Sequence, residues 1–493
     1  MNQQVPPGGR ISGPRLASLL GAWRRGGSRR GAGDLAAAVE LQVLDGQLPL
    51  GTRLPAEREL AEALGVSRTL VATALDQLRA AGVVASRRGS GSWVTAPGGG
   101  GLPPAPRSGE DLIDLARAAP PAVPGLLAAV DVARRELCAE LTGHGYTGSG
   151  LLVLRERIAQ RYTARGLPTT PGQIMITNGG HHGFVLALRM LVGPGDRVLV
   201  EQPTYPNAVE AIRSAHGVPV PVGVNGGVDG GADEGAGGWD LDGLEAALRQ
   251  AAPRLGYFIV DFHNPTGLRL DTEGRRRLGA ALARTRTPVV VDECLAELDL
   301  MGDPLDGPAP LGAFGGDWVI SVGTAAKTHW GGLRLGWLRA SEELISRVQA
   351  TRYALDLGSP VFEQLVLAEL LADPEPMLRR RREELRTQRD ELAAAVRREC
   401  PDWTFLLPGG GLSLWCRLPE RMSTRLAVAA GNHGVQVVPG SRFAAHGGLE
   451  SWLRLPYTQP ADRLWDAVRR LSAAASSLRA GGEPGPGWDV PVA

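Results

Sequence analysis

Lysine is nearly absent from this chain. Of its 493 residues, 53 are Lys or Arg, and the only Lys is Lys327. Arg replaces Lys in most surface roles, but a guanidinium stays protonated, whereas a desolvated ammonium can lose its proton and become a nucleophile. Forming an imine with an aldehyde cofactor is one reaction that requires Lys. Lys327 ends the hydrophobic approach Ser321-Val-Gly-Thr-Ala-Ala-Lys327, and this setting favours a nucleophile over an ordinary exposed side chain.

Cysteine and long apolar runs are scarce as well. The four Cys show no CxxC spacing, which argues against a zinc site and against a disulfide framework, so we expect no metal. The sequence has neither a signal peptide nor an apolar run long enough to cross a bilayer. These absences predict a cytoplasmic protein that does not contact a membrane.

Net charge is small, but it is unevenly distributed. The formal charge is +1 for the whole chain, whereas the first hundred residues hold 12 Arg against 7 Asp and Glu. Such asymmetry is typical of a basic module joined to a mildly acidic one. With 43% apolar side chains, a chain of this length can form two or three domains with buried cores.

The first hundred residues show the pattern of a small nucleic-acid-binding module. Residues 1–33 are rich in Gly, Arg and Pro; Leu16–Trp23 is compatible with a short helical turn, but we expect the surroundings to form a disordered basic tail. Asp34 is a candidate N-cap for a first helix, a second helix is predicted after Pro55, and Ser67 is a candidate cap for a third. Two short β-like runs follow. Three helices and a hairpin predict an α+β winged helix-turn-helix over residues 34–96.

Hydroxyl and basic side chains cluster where such a module meets DNA. A recognition helix enters the major groove with its first residues foremost, and here these are Ser67, Arg68 and Thr69. Arg58 on the preceding helix is placed to hold the DNA backbone, or alternatively pairs with Glu62 on its own helix. The hairpin tip adds Arg87, Arg88 and Gly91. A plain helical bundle with a hairpin does not explain this clustering.

The order of these residues is similar to that of a known family. The stretch Gly46-Gln-Leu-Pro-Leu-Gly-Thr-Arg-Leu-Pro-Ala-Glu-Arg-Glu-Leu-Ala61, followed by Leu64-Gly-Val-Ser-Arg68, closely resembles the GntR family of winged-helix regulators. The resemblance extends over nearly all of residues 35–95. It implies that the module contacts operator DNA through Arg58, Arg68, Thr69 and Gly91.

A larger domain follows a linker. Residues 97–111 are rich in Gly and Pro, which is the composition of a linker. Residues 112–478 alternate helical segments with short β-branched runs, and this alternation predicts a mostly parallel α/β sheet. Residues 479–493 are expected to form a disordered tail. The predicted strands are Ile174–Ile176, Val198–Val200, Phe258–Val260, Val289–Val291 and Val319–Ser321.

Polar motifs come directly after several of these strands. The Gly-rich turn Thr177-Asn-Gly-Gly-His-His-Gly183 opens a helix, and such a turn can bind a phosphate. Tyr205, Asn264 and Asp292 lie at or just beyond other strand ends. Singly these are weak signals, because an Asp at that place is often only a helix cap. The ordered set is more specific when it is completed by Thr324, Lys327, Arg334 and Arg454.

This ordered set resembles the fold-type I, class I aminotransferases from about residue 112 to 475. A GntR head joined to such a body is the arrangement of the MocR subfamily of GntR regulators. The resemblance implies a multidomain homodimer, in which a small winged helix-turn-helix precedes a large α/β domain of the PLP-dependent transferase type. The implied cofactor is pyridoxal 5′-phosphate (PLP).

The resemblance also implies a role for each residue of the set. Lys327 forms the Schiff base, Asp292 pairs with the pyridine nitrogen, Asn264 hydrogen-bonds the phenolic oxygen and Tyr205 stacks on the ring. The phosphate is held by Gly180, His181, Thr324 and Arg334, with Tyr146 reaching it from the other subunit. Arg454 binds the carboxylate of an incoming amino acid.

Three positions depart from the aminotransferase pattern. The Tyr that normally follows the cofactor Asp is missing from Asp292-Glu-Cys294-Leu295. Ala326 stands where a hydroxyl residue usually precedes the lysine, and His181 stands where Gln is frequent. These changes leave imine formation possible but weaken the expectation of efficient transamination.

Three functions are compatible with the sequence. The first is a transcriptional regulator that binds double-stranded operator DNA as a homodimer and senses PLP, or an amino acid or amine, through an internal aldimine. The second is an active aminotransferase that carries a DNA-binding domain. The third is a cofactor-free regulator that uses its body only to dimerise. The missing Tyr and the intact winged helix favour the first, with at most a residual half-reaction.

Overall fold

The computed structural model describes residues 10–21, 23, 31–44, 48, 52–80, 83–87, 91–94, 112–224 and 238–479. Contacts divide the chain into two compact units. The first comprises Met1–Asp114, Met422–Gln436 and Ala473–Val490, and the second comprises Leu115–Arg421, Val437–Ser472 and Pro491–Ala493. Every helix in the described ranges is too short or too polar to cross a bilayer.

Four helices and a hairpin follow one another at the start of the first unit. They are α1 (Gly13–Leu20), α2 (Gly31–Leu44), α3 (Glu57–Leu64), α4 (Arg68–Ala80), β1 (Val84–Arg87) and β2 (Gly91–Val94). The apolar positions of α4, including Val71, Leu75 and Leu78, recur at helical spacing and are buried in one core with residues of the other helices. Gly65 links α3 to α4 at a φ of 63°, which glycine adopts without strain. The predicted winged helix-turn-helix is confirmed.

The predicted disordered tail over residues 1–33 is wrong for the part that the structure describes. Residues 13–20 form α1, and Leu16 and Leu20, four positions apart on one face, are buried in the core of the module. The amide of Gly13 donates to Glu59 Oε1 at 2.7 Å. α2 begins at Gly31, so Asp34 lies in its first turn and not at its N-cap. Residues 1–9, 22 and 24–30 of the predicted tail lie outside the described residues.

Two further segments extend the hairpin. Residues 52–54 run beside β2, with Leu54 N donating to Ser92 O and Val94 N donating to Thr52 O, both at 2.9 Å. On the other side of this segment, Ile11 N donates to Arg53 O at 3.0 Å. The chain preceding α1 is therefore fixed to the winged module by backbone hydrogen bonds.

The remaining elements are numbered in chain order. The strands are β3 (Ile113–Leu115), β4 (Ile174–Thr177), β5 (Arg197–Gln202), β6 (Val218–Gly223), β7 (Leu255–Phe258), β8 (Val289–Asp292), β9 (Val319–Thr324), β10 (Gly336–Arg339), β11 (Ser413–Arg417), β12 (Val435–Pro439) and β13 (Trp452–Pro456). The helices are α5 (Leu126–Glu140), α6 (Leu152–Ala164), α7 (Gly180–Leu191), α8 (Pro206–Ser214), α9 (Leu241–Ala251), α10 (Thr272–Thr285), α11 (Gly312–Gly315), α12 (Glu342–Arg352), α13 (Val361–Leu370), α14 (Glu375–Glu399), α15 (Ser423–Asn432) and α16 (Ala461–Arg479).

A seven-stranded sheet is the centre of the second unit. Its strand order is β4-β10-β9-β8-β7-β5-β6. β10 runs antiparallel to both of its neighbours, whereas β9, β8, β7, β5 and β6 are parallel to one another. The central strands are buried on both faces, which explains their continuous apolar sequences. The predicted, mostly parallel α/β fold is confirmed, although the third strand, predicted over Phe258–Val260, covers Leu255–Phe258.

A smaller four-stranded sheet has the order β11-β13-β12-β3. Residues 97–111, 225–237 and 480–493, which include the predicted linker and the predicted C-terminal tail, lie outside the described residues.

The sheet topology decides where the polar motifs meet. The C-terminal ends of parallel strands lie at one edge of a sheet, and ligands of open α/β sheets bind beyond that edge. Tyr205 follows β5, Asn264 follows β7, Asp292 ends β8 and Lys327 follows β9. Four strands that are neighbours in space therefore bring residues that are distant in sequence to one site.

Candidate functional site

Lys327 lies in an unusual turn just beyond β9. Residues Ala326–Trp330 form a single π-helical turn, a distortion that is frequent at functional sites. Lys327 Nζ donates to the Ala118 carbonyl oxygen at 2.9 Å. Burial lowers the pKa of the Lys327 ammonium below its ordinary value of 10.5; the nearby Arg454 acts in the same direction, while Asp292 opposes both. The shift is in the direction of the neutral amine, which is the form that nucleophilic chemistry requires.

Asp292, the last residue of β8, is fixed by two donors. Tyr257 Oη donates to one carboxylate oxygen at 2.7 Å, and the Cys294 amide donates to the other at 3.0 Å. Burial and the adjacent carboxylate raise the pKa of the Tyr257 hydroxyl, which therefore remains protonated. The position and orientation of the carboxylate are consequently set by its own chain.

Arg454 is fully buried in β13, and its guanidinium is held on several sides. Its Nη1 donates to Asn264 Oδ1 at 3.3 Å, and its Nη2 donates to the Ala116 carbonyl. The Phe443 ring lies 5.0 Å below the guanidinium carbon. A buried Arg with a planar donor fork next to an amide is a suitable receptor for a carboxylate.

The N-terminus of α7 forms a small anion-binding cradle. Gly179 precedes the helix at a φ of 98°, and a Cβ on Gly180 would approach Cys294 Sγ to 2.8 Å, so a side chain at Gly180 would require the cradle to shift. Arg334, itself at a φ of 54°, places Nη2 3.3 Å from the Asn178 carbonyl beside this helix end. The free N–H groups of the first turn and a neighbouring guanidinium together favour a phosphate.

Thr324 is engaged with the backbone on both sides. Its Oγ1 accepts from the Ala326 amide and donates to the Leu335 carbonyl, each at 3.2 Å. The hydroxyl is therefore a fixed part of the turn that presents Lys327.

Of the two tyrosines that the sequence assigns to the cofactor site, one lies at the α7 N-terminus and the other does not. The Tyr205 ring packs edge-on against the His181 ring, with centroids 6.1 Å apart, and Asn207 Nδ2 donates to Tyr205 Oη at 2.9 Å. Burial raises the pKa of Tyr205 to about 12. Tyr146 is 63% exposed on the loop before α6, and its described contacts are with His144, so the single chain does not bring it to Lys327.

The start of the recognition helix has the geometry that the sequence predicts. Ser67 Oγ accepts from the Leu70 amide at 3.2 Å and so caps α4. Ser67, Arg68 and Thr69 are all exposed, and Arg68 Nε lies 3.5 Å from a carboxylate oxygen of Glu57 on α3.

The other predicted DNA contacts are distributed over α3 and the wing. Arg58 is exposed on α3 and forms no ion pair with Glu62, although both residues are described. Gly91 opens β2 at a φ of 81° and is exposed. Arg88 and the side chain of Arg87 lie outside the part of the hairpin that the structure describes.

Comparison with known families identifies both parts of the chain. Residues 112–471 match the family described as aminotransferase class I and II, and residues 32–94 match the gntR family of bacterial regulatory proteins. The chain belongs to the class I and II aminotransferase family. Because a GntR domain precedes this domain, the chain has the architecture of the MocR subfamily of GntR regulators.

Relatives of this MocR-type chain include both regulators and enzymes. It is 28% identical over 444 residues to the probable rhizopine catabolism regulatory protein MocR of Rhizobium meliloti, covering 83% of this chain and 86% of that protein. It is 30% identical over 326 residues to 2-aminoadipate transaminase of Thermus thermophilus, covering 65% of this chain and 79% of the enzyme. The solved structure of LysN, an α-aminoadipate aminotransferase of Thermus thermophilus complexed with N-(5′-phosphopyridoxyl)-L-leucine, has 29% identity and a TM-score of 0.66 and covers 75% of this chain and 94% of that chain.

The aminotransferase family depends on PLP, and the residues of the MocR-type body suit that group. A cradle in which a Cβ on Gly180 would clash with Cys294 suits a phosphate. A solitary amine with a lowered pKa suits the aldehyde, and a carboxylate held by two donors suits a protonated ring nitrogen.

Sequence reasoning missed several partners of these residues. Tyr257 lies inside a buried strand and has the pattern of a core residue. Ala116 and Ala118 act through backbone carbonyls, which leave no signal in the side-chain sequence. Where aminotransferases have a Tyr after the cofactor Asp, Leu295 is buried and adds no hydroxyl to the site.

Proposed function

We propose that this MocR-type chain is a transcriptional regulator that binds operator DNA through its winged helix and detects PLP, or an amino acid or amine, at the Lys327 site. The observation that carries the proposal is the placement of the only lysine of the sequence, with a lowered pKa, near Asp292 and Arg454 at the sheet edge where Tyr205 and Asn264 also lie. The GntR match and the regulator relatives support the DNA-binding half.

We assign the cofactor contacts as follows. Bound PLP supplies an aldehyde that condenses with amines and a ring that withdraws electrons. The α7 N-terminus at Gly180 and His181, with Thr324 and Arg334, would hold its phosphate, while Asp292 and Asn264 would fix the ring nitrogen and ring oxygen. Tyr205 would cover the ring, and Lys327 would provide the amine.

The contacts of Lys327 and Arg454 suggest how a ligand is detected. Each side chain donates to a carbonyl of the same short segment, Lys327 to Ala118 and Arg454 to Ala116. A ligand carboxylate that binds Arg454 would compete with the Ala116 carbonyl, and PLP condensed with Lys327 would remove the amine that donates to Ala118. The cofactor and the carboxylate of an amino acid would thus each weaken one contact to this segment, which is the differential binding that a switch requires.

An exposed apolar patch supports the proposed homodimer. Tyr146, Leu152, Tyr353, Leu355 and Leu357 are between 42% and 63% exposed. The two loops that carry most of them are in contact, because a Cβ on Gly358 would lie 3.0 Å from the Thr147 carbonyl and one on Gly148 would lie 3.2 Å from Tyr353 Oη. Contiguous exposed apolar surface is typical of an interface. A partner on this patch would meet Tyr146, which we propose completes the phosphate site of the partner subunit.

Catalytic turnover as an aminotransferase is the second candidate function. It is favoured by the presence of Lys327, Asp292, Asn264 and Arg454 at one site and by the transaminase relatives. The absence of the Tyr hydroxyl at Leu295 disfavours it. Sustained conversion of an amino acid and a keto acid by the holo-protein would support an enzyme, whereas a single stoichiometric half-reaction would not.

One experiment tests the cofactor half directly. Protein incubated with PLP is reduced with borohydride and mapped by mass spectrometry, with Lys327→Arg as the control that keeps the charge and removes the amine. We expect a pyridoxyl group on Lys327 in the wild type and none in the variant. Wild-type protein that shows no such adduct at saturating PLP would leave a cofactor-free regulator. DNA binding measured on the same samples, with and without amino acids, tests the sensing half.

A further inference from the structure

A cluster of three exposed guanidiniums surrounds the first turn of α3. Glu57, Arg58 and Glu59 occupy successive positions there, and each is displaced from the next by roughly 100° around the helix. Glu57 lies 3.5 Å from Arg68 Nε, and Glu59 accepts from Arg10 Nη2 at 3.1 Å. Arg58 therefore lies between two carboxylates, each of which holds another arginine.

Arg10 is brought to this cluster by the chain that precedes α1. Its backbone pairs with that of Arg53 beside the wing, and the next residue donates to the Arg53 carbonyl at 3.0 Å. The Gly13 amide donates to the other oxygen of Glu59 at 2.7 Å. α1 is anchored so closely that a Cβ on Gly13 would come within 2.8 Å of the Glu59 carbonyl oxygen. The position of Arg10 is thus fixed by the fold.

We propose that Arg10 is a DNA-backbone contact, which adds a phosphate-binding arm from the N-terminal segment to the recognition surface formed by Arg58 and Arg68. The residue precedes the stretch that matches the GntR family, which begins at residue 32. The inference rests on the proposed DNA binding and extends it to a segment that precedes this match.

The carboxylates of Glu57 and Glu59 do not prevent the arginines of this surface from binding phosphate. The Arg10 side chain is 66% exposed and that of Arg68 is 73% exposed, and ion pairs with such exposure are weak. An arginine has five N–H donors, so it can keep a carboxylate on one edge and bind a phosphate with the other. Glu57 and Glu59 consequently orient the two guanidiniums without occupying all of their donors.

The test measures how binding depends on salt. Each phosphate that a protein neutralises contributes about 0.9 to the slope of log affinity against log salt concentration. The full-length protein is titrated with a mixed-sequence DNA duplex of about 30 base pairs at several salt concentrations. For Arg10→Ala we expect the slope to fall by about 0.9, and binding near 0.1 M salt to weaken about fivefold, for each subunit that contacts the duplex. Arg10→Lys keeps the charge and should stay close to wild type.

A matched control removes the same charge elsewhere. Arg380 on α14 is also 66% exposed and is paired with a carboxylate at 3.3 Å, so Arg380→Ala changes net charge equally. We expect it to leave both the slope and the affinity unchanged.

The possible results separate the arm from the DNA-binding function itself. If Arg10→Ala binds like wild type while Arg58→Ala and Arg68→Ala lose slope, the arm is refuted and the proposed function stands. If Arg10→Lys loses as much as Arg10→Ala and both lose hydrogen-exchange protection over α1, the effect comes from undocking and the arm is again refuted. If none of the Arg variants differs from a wild type that does not bind duplex DNA, the proposed function fails as well.

Discussion

Lys327 illustrates how a local backbone distortion can set chemistry. The π-helical turn Ala326–Trp330 follows a fully buried strand and turns the side chain toward the Ala118 carbonyl. Burial disfavours the ammonium at this position, because the charged form loses its hydration. The pKa of this amine is therefore lower than that of a lysine on the surface.

The direction of the pKa shift at Lys327 can be measured. A folded-state pKa below 10.5 means that the neutral, nucleophilic amine is populated at a lower pH than in an unfolded chain. Mass spectrometry can follow the rate of reductive methylation of Lys327 as the pH is raised. We expect this rate to increase with a pH midpoint below that of Nα-acetyl-lysine under the same conditions. A midpoint equal to or above that of Nα-acetyl-lysine would contradict the structure.

Tyr257 is a second residue whose role can be isolated. Its hydroxyl is buried and donates to Asp292, so Tyr257→Phe removes a hydrogen bond to a charged acceptor. We expect this to lower the free energy of unfolding by about 1.5–3 kcal/mol. An unchanged free energy of unfolding in chemical denaturation would argue against the buried bond.

Among the secondary-structure elements, α1 is the one that the amino-acid composition does not predict. Gly, Arg and Pro around it predict disorder, and eight residues form a helix too short to be stable alone. What stabilises α1 is tertiary contact: Leu16 and Leu20 fill the module core, and Glu59 binds its first amide. Such contacts depend on residues some 40 positions away and cannot be read from a local window.

Leu16→Ala tests whether α1 contributes to the module. Leu16 is fully buried, so the change should leave a cavity and destabilise the module by about 2–3 kcal/mol. Native-state hydrogen exchange of the α1 and α3 amides would measure this. Ser18→Ala, on the exposed side of the same helix, should have almost no effect. Unchanged exchange in Leu16→Ala would indicate that residues 13–20 are not docked.

The sequence predicted the larger elements well for a physical reason. Helices with long apolar stripes and strands buried on both faces carry periodic signals, and β4, β5, β8 and β9 lie where β-branched runs predict them. The chemistry-bearing side chains around Lys327 were also predictable, because their residue types and order are distinctive. The carbonyls of Ala116 and Ala118 and the hydroxyl of Tyr257 were not, since their roles arise only when distant segments meet.

For the whole molecule, the exposed apolar patch predicts a homodimer. The patch consists of Tyr146, Leu152, Tyr353, Leu355 and Leu357. Light scattering should give a mass of roughly twice the 51.9 kDa chain. The double variant Leu152→Asp, Leu357→Asp should shift the protein toward a monomer, because like charges would face each other across a twofold interface. The pair Leu406→Asp, Leu407→Asp is the control, since both residues are 45% exposed outside the patch. A wild-type mass of one chain, or a patch variant that stays dimeric, would contradict this assignment.

The solitary lysine has a practical consequence for anyone who handles the protein. Reagents that couple through amines, such as the activated esters used for dyes and sensor chips, have one side-chain target here, the amine that donates to the Ala118 carbonyl. Random tagging of side chains is therefore excluded, because each such label modifies Lys327 or a terminal amine. The same property makes ester labelling a gauge of occupancy, because a group bound to Lys327 protects the only side-chain amine.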